Sequence, residues 1–431
     1  MTPRLHVVIV VLGSGGDVFP MIAFGRAMTA RGHRVLLVSS PYFAPNARAA
    51  GLAFEACVSE EDERRGVENP NLWKVGRGFR VLFDGLLDAV PATYRIIATH
   101  YVPGRTVVVA NAAAMAARIA RETLGGPLVT VHLQPILLRS RNHQPGLMVS
   151  PRWQPIVRAM RTLLLPLIDR WVFDPIIAPR LNQFRATLQL PPVRRVFADW
   201  IHSPDLVLGL FPDWFARPET DWPAHMHLVG FPAGDPADAP DTLRDDAGLD
   251  AFLDAGPPPI VFTLGTAMAF ARRFFEASVE ACRLSGRRGL LFTQFPEQLP
   301  PLPDTVRHCR FAPFPRVLPR TAGLVHHGGI GTMAAAFAAG IPQIAVPFNF
   351  DQPDNAARLL ALGAGAIIRP AAYVADTVAR TLNEVLTSPS VQATCLSIAE
   401  RIRAADPMRS ACDLVEAAAN LAIGQGVTQL L

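Results

Sequence analysis

Apolar positions in this chain fall into short continuous β-branched runs that alternate with stretches at helical spacing. Leu5 to Leu12 (LHVVIVVL) is a continuous run, as expected of a parallel strand covered on both faces. It ends in GSGGD. The following VFPMIAFGRAMTARGH has Pro20 near a predicted helix start, apolar residues at helical spacing and Gly32 as a stop. RVLLVSS then reads as a second strand and completes a βαβ unit. Further strand runs are TVVVA (106–110), LVTVHL (128–133) and LVLGLF (206–211), separated by helical stretches in the manner of an open α/β sheet.

A second series begins beyond a Pro- and Asp-rich stretch. PAGDPADAPD, a short acidic helix and GPPP mark residues 233–259 as an exposed, stiff connection. Strand runs then recur as IVFTLG (from 260), GLLFTQF (289), VRHCRF (306), AGLVHH (322), IPQIAVP (341) and AGAIIRP (364). The pattern predicts an α/β chain of two Rossmann-like domains facing across a deep crevice, 1–232 and 260–400. Helices over 401–431 are placed to pack back on the first domain.

Composition narrows the function. A length of 431 residues suits two domains, and 50% hydrophobic against 18% charged residues can fill their cores. The formal charge is +5 with a pI near 9.2, yet the arginines are scattered. That balance points to an anionic ligand or an acidic lipid surface and not to a nucleic-acid groove. Five dispersed cysteines without a CxxC pair read as free thiols in a reducing compartment. The apolar start is too short and too poorly bounded for a secretion signal, and no run approaches the length of a spanning helix. A cytoplasmic protein is expected, its membrane contact limited to a peripheral one at the inner face.

The densest chemistry lies in LVHHGGIGTMAAAFAAGIPQIAVPFNFDQ, from Leu324 to Gln352. Gly328, Gly329 and Gly331 allow a tight turn and close approach of backbone to a ligand. The helix opening near Thr332 offers unpaired N–H groups and the positive end of its dipole, a natural seat for a diphosphate. His326 is expected to donate to a phosphate oxygen, with His327 beside it and the Thr332 hydroxyl at the first turn. Adjacent histidines on an extended chain point in opposite directions, and no Cys or Glu stands at ligand spacing, so a metal site is not expected. Asp351 and Gln352 follow a strand and offer donors and acceptors suited to sugar hydroxyls; a helix cap is the competing role for Asp351.

These motifs resemble nucleotide-sugar-dependent glycosyltransferases of the GT-B, two-Rossmann-domain type, the family of antibiotic, sterol and glucuronosyl transferases. The resemblance implies that His326, Gly328, Gly331 and Thr332 surround the donor diphosphate and that Asp351 and Gln352 hold the sugar. It also implies that Gly265 and Thr266 in VFTLGTA form a second phosphate loop. GSGGDVFP, with Ser14 and Gly15, is similar to the family's amino-terminal block. Where plant members carry WxPQ against the base, this chain has Phe311, Ala312, Pro313 and Phe314. Phe311 can stack on a pyrimidine and the Phe314 backbone can bond its edge, leaving both thymidine and uridine donors open.

Asp17 is the candidate general base for the acceptor hydroxyl, with a helix-capping role as the alternative. No DxD cluster follows a strand, so catalysis without metal or other cofactor is expected. The segment from Asn69 interleaves Trp73, Phe79, Leu82, Phe83 and Leu86 with Lys74, Arg77 and Arg80, an apolar face beside a basic one. Such a face packs on its own domain, forms an acceptor channel or rests on anionic membrane lipids; Trp73, Arg80 and His132 are the candidate acceptor contacts. HSPDLVLGLFPDWFARPETDWP, from His202, is similar to the rhamnosyltransferases of rhamnolipid synthesis. That likeness implies dTDP-L-rhamnose as donor and an amphiphilic lipid acceptor, 3-(3-hydroxyalkanoyloxy)alkanoic acid, with contact to the membrane or an acceptor-making enzyme. A UDP- or dTDP-hexose transferase for a sterol or antibiotic aglycone shares every donor motif, and a non-catalytic nucleotide-sugar-binding activator is the reading from a different class.

Overall fold

The computed structural model describes residues 4–67, 69, 71–72, 76–140, 156, 160, 164–232, 248–265, 268 and 270–428; the side chains of residue 67 and residues 423–428 are outside this description. Trp73, Thr266 and most of the 233–259 connection therefore lie outside the described residues. The chain divides into two compact units. One comprises Met1–Gly13, Asp17–Pro232 and Asp406–Leu431; the other comprises Ser14–Gly16 and Ala233–Ala405.

The first unit holds a parallel sheet of β1 (His6–Val10), β2 (Arg34–Ser39), β3 (Ala53–Ala56), β4 (Thr106–Asn111), β5 (Leu128–His132), β6 (Leu206–Gly209) and β7 (Met226–Leu228), ordered β3-β2-β1-β4-β5-β6-β7. Chain order reverses between β1 and β4, which are paired from His6–Thr106 to Val10–Ala110. Alternate side chains of β1 feed opposite cores: Val7 and Ile9 lie in one, Val8 and Val10 in the other. That double burial is why its sequence reads as an unbroken apolar run.

The helix after β1, α1 (Gly15–Ala30), starts five residues before Pro20, so Pro20 lies inside it and not at its entry. A second helix, α2 (Gly78–His100), buries Phe83, Leu86, Leu87 and Val90 in the unit's own core, with Phe79 and Leu82 packed against it. The apolar face found in the sequence thus serves packing, and Arg80 is exposed on the other side. The C-terminal helix Pro407–Thr428 belongs to this unit: Ala411, Cys412, Val415 and Ala419 join the core beside β1, and Glu416 meets His33 at 2.9 Å.

The second unit repeats the plan with β8 (Ile260–Thr263), β9 (Gly289–Phe292), β10 (Val306–Cys309), β11 (Gly323–His326), β12 (Gln343–Ala345) and β13 (Gly365–Ile367), all parallel and ordered β10-β9-β8-β11-β12-β13. The reversal falls between β8 and β11. In open α/β sheets ligands bind outside the carboxyl ends of the strands at such a point. Two parallel Rossmann-like sheets constitute a GT-B fold. All five cysteines are buried free thiols.

Candidate active site

Register brings the donor motifs of the second unit together. Thr263 pairs with His326 at the ends of β8 and β11, so the loops that follow, Gly265 and His327–Gly329, leave the sheet side by side. The His327 ring fills the space between them. A Cβ on Gly265, whose φ is +81°, would lie 2.9 Å from Cε1 of His327, and one on Gly329 would lie 2.4 Å from Nε2. Both glycines are therefore dictated by the imidazole.

Helix α3 (Ile330–Ala339) begins immediately after Gly329, its N-cap, and no side chain caps it. Its first N–H groups and the roughly half positive charge of its dipole are thus left for a ligand. Thr332 is in this first turn. His326 is turned into the protein: fully buried, it accepts the Gly328 N–H at Nδ1 over 3.1 Å. A neutral ring that accepts at Nδ1 carries its proton on Nε2, and that atom is buried without a partner, as is Nδ1 of His327. Burial lowers His326 to about 3, with the neighbouring His327 ring contributing, and His327 to about 4. Both are neutral at neutral pH, so they can offer polar N–H groups but not formal charge.

The acid-amide pair is built into the same corner. Phe350 has a φ of +59°, an uncommon conformation for a bulky residue, and it delivers Asp351 to the start of α4 (Gln352–Leu362). Asp351 occupies the N-cap position without a side-chain capping bond; its Oδ2 instead accepts from Asn355 Nδ2 at 2.7 Å. Asn355 Nδ2 also donates to the Gly328 carbonyl at 3.0 Å, tying the acid-amide pair to the glycine turn. Gln352 Oε1 accepts from the Phe348 and Asn349 N–H groups at 2.8 and 3.2 Å, which fixes the side chain in place. Asn355 was not singled out from sequence; its signal is its position one helical turn beyond Asp351. Phe311 is half-buried two residues past β10, whereas the Phe314 ring packs edge-on against Phe292 with centroids 5.9 Å apart.

In the first unit, Asn111 at the end of β4 brackets the loop after β1. Its Oδ1 accepts the Leu12 N–H at 3.2 Å and its Nδ2 donates to the Leu12 carbonyl at 2.7 Å. The chain then turns through Gly13 at a φ of +144°, and Asp17 folds back over it: a Cβ on Gly13 would be 2.3 Å from Asp17 Oδ2. Asp17 is thus a first-turn residue of α1, two positions after its first residue, Gly15; Ser14, just before the helix, is exposed. His132 is fully buried at the end of β5, its Nε2 3.0 Å from Nδ1 of His202. Burial and the paired ring hold His132 well below its ordinary pKa, and burial lowers His202 to about 4. His202 is a partner that sequence reasoning did not supply.

Residues 7–140 match the glycosyltransferase family 28 N-terminal domain, and residues 291–417 match the erythromycin biosynthesis protein CIII-like C-terminal domain. The chain is an enzyme of the GT-B glycosyltransferase class. This glycosyltransferase uses a nucleotide-sugar donor and is related to natural-product glycosyltransferases. It is 28% identical to O-mycaminosyltylonolide 6-deoxyallosyltransferase of Streptomyces fradiae over 96% of its own length and 97% of the relative's. It is 26% identical to 4'-demethylrebeccamycin synthase of Lentzea aerocolonigenes over 95% and 99% of the two chains. Among solved structures, a spinosyn rhamnosyltransferase complexed with thymidine diphosphate shares its fold at a TM-score of 0.67 and 19% identity, over 95% of this glycosyltransferase and 100% of that chain. Among the described residues, no group of three or more His, Cys, Asp or Glu side chains is placed to hold a metal ion.

Proposed function

We propose that the chain is an inverting glycosyltransferase that moves a hexose or deoxyhexose from a pyrimidine nucleoside diphosphate to a hydroxyl of an apolar natural-product aglycone. The observation that carries this reading is the uncapped start of α3 with the His327 ring seated between Gly265 and Gly329. Its N–H groups suit a diphosphate whose negative charge grows as the bond to C1 of the sugar breaks. Asp351 and Gln352 are assigned to the sugar hydroxyls, and Phe311 to the face of the base.

Asp17 is assigned as general base. It takes the acceptor proton while the acceptor oxygen forms its bond to C1 on the side opposite the departing diphosphate, which inverts the anomeric centre. The diphosphate is a good leaving group and is held by backbone N–H groups, so no metal is required at the chemical step. The aglycone class is taken from the full-length likeness to the tylosin-type deoxyallosyltransferase and the rebeccamycin-type synthase.

A second reading keeps the same chemistry with dTDP-L-rhamnose and a 3-(3-hydroxyalkanoyloxy)alkanoic acid. The exposed apolar residues Leu164, Leu167 and Trp171 favour it, since an amphiphilic acceptor is presented at an apolar surface. The deciding experiment incubates the purified chain with dTDP- and UDP-hexoses against macrolide, indolocarbazole, sterol and hydroxyacid-lipid acceptors, followed by mass spectrometry. Transfer to an aglycone supports the main reading. Deoxyhexosyl transfer confined to the lipid supports the second, and the absence of any sugar transfer contradicts both.

A further inference from the structure

His326 has the sequence position of a phosphate ligand but the geometry of a support. Its ring is fully buried, and Nδ1 accepts the Gly328 N–H at 3.1 Å. Nε2, which then carries the proton, is buried too. The polar side chain that acts on the ring is Gln343 of β12, whose Oε1 is likewise buried without a partner. Both nitrogens of His326 are thus turned into the second unit and away from a ligand.

Asn355 holds the other end of the same glycine. It is fully buried, and its Nδ2 donates to the Gly328 carbonyl at 3.0 Å and to Asp351 Oδ2 at 2.7 Å. Two acceptors on one side require the NH₂ end of the amide there; Oδ1, on the far side, is buried and unpartnered, so these two bonds alone set the orientation. Gly328 also lies against the start of α4: its φ is +91°, and a Cβ on it would be 3.1 Å from the Gln352 carbonyl oxygen. The glycine is therefore held at its N–H, at its carbonyl and at its Cα. A trans peptide sets N–H and C=O on opposite sides, so the Gly329 N–H points away from Asn355. That N–H is the first of the row that opens α3. A peptide between two glycines meets little steric resistance to rotation, and without the two side chains it would swing the N–H out of the row.

We propose that His326 and Asn355 are positioning residues for the donor, a role that presupposes the nucleoside diphosphate reading of this site. Together they fix the Gly328–Gly329 peptide with its N–H toward the diphosphate, and Asn355 ties that peptide to Asp351 at the sugar. Donors held in place before binding need no reorganisation when the ligand arrives. Calorimetry of the full chain with thymidine diphosphate and uridine diphosphate sets the reference. His326→Asn puts an amide oxygen in the place of Nδ1, whereas the amide of His326→Gln reaches the place of Nε2. His326→Asn should keep nucleoside diphosphate affinity within about threefold of the parent, and His326→Gln should lose about tenfold. The opposite order would show that Nε2 serves the ligand and would overturn the proposal, as would equal affinities of the two variants. Asn355→Ala, which leaves the ring in place, should bind nucleoside diphosphate about tenfold more weakly and lose still more for thymidine diphosphate glucose, because Asp351 is loosened as well. Undiminished nucleoside diphosphate affinity in that variant contradicts the proposal. The parent chain gives a reading that no variant's folding can obscure: isotope-labelled histidine spectra should show the His326 proton on Nε2 before and after nucleotide is added, and a proton on Nδ1 overturns the assignment. A parent that binds neither nucleoside diphosphate contradicts the donor reading and this role with it. A parent that binds, with variants that depart from the stated order, contradicts this role alone.

Discussion

The Nε2 of His327 lies where a side chain on Gly329 would begin: a Cβ there would be 2.4 Å away. Gly329 has a φ of −63° and a ψ of 137°, ordinary extended backbone that alanine adopts without strain. Gly329→Ala therefore tests the ring position and not the turn. Displacing the imidazole should weaken nucleoside diphosphate binding by about tenfold or more, with the melting temperature nearly unchanged. Titration calorimetry with thymidine diphosphate measures it, and unaltered affinity would remove His327 from the donor site.

Stability should depend on acid through the buried histidines. His326 is lowered to about 3 and His327 and His202 to about 4, against an unfolded value near 6.5. Below pH ~6.5 the unfolded chain binds protons that the folded chain refuses. The stability these groups contribute is present above that pH and is lost as pH falls toward 4, at up to about 1.4 kcal/mol per pH unit for each histidine. Melting temperature should be flat in this respect from pH 8 to ~6.5 and then fall. A rise over the acidic interval would show that these rings are charged in the folded protein.

Asn111 closes on both the N–H and the carbonyl of Leu12. Asn111→Ala leaves the Leu12 N–H without that acceptor, a loss of about 1–3 kcal/mol. It should also lower turnover more than nucleotide affinity, because the loop it anchors leads to Asp17. Calorimetry and initial rates check the two effects, and equal losses in kcat and donor affinity would reduce Asn111 to a packing residue.

Because backbone N–H groups beside the neutral His327 ring are assigned to the diphosphate, turnover should persist after exhaustive EDTA treatment. A requirement for added Mg²⁺ or Mn²⁺ in the chemical step would show that the phosphate site has been misassigned.

Legibility of the chain followed burial. Strands covered on both faces, such as Val7–Val10 and Ile260–Phe262, announce themselves as unbroken apolar runs. The edge strand β7 (MHL) and the four-residue β3 (AFEA) are partly exposed and carry no such run, and both went unread. The start of α1 was misplaced because Gly15 and Gly16 read as loop and Pro20 as an entry signal, yet the helix includes all three. Donor chemistry was legible because glycines, histidines and the acid-amide pair are close in sequence. Asn111 and His202 were not, since each acts on a residue far away in the sequence, Leu12 and His132 respectively.

Replacing the Asp17 carboxylate tests the central assignment most directly. Asp17→Asn preserves the size of the side chain over Gly13 but cannot accept the hydroxyl proton. With a donor and acceptor pair that the parent enzyme turns over, kcat should fall by about 10²-fold or more while thymidine diphosphate affinity stays within about twofold. Near-parental kcat in a folded Asp17→Asn enzyme would contradict the account and leave Asp17 as a residue that shapes the start of α1.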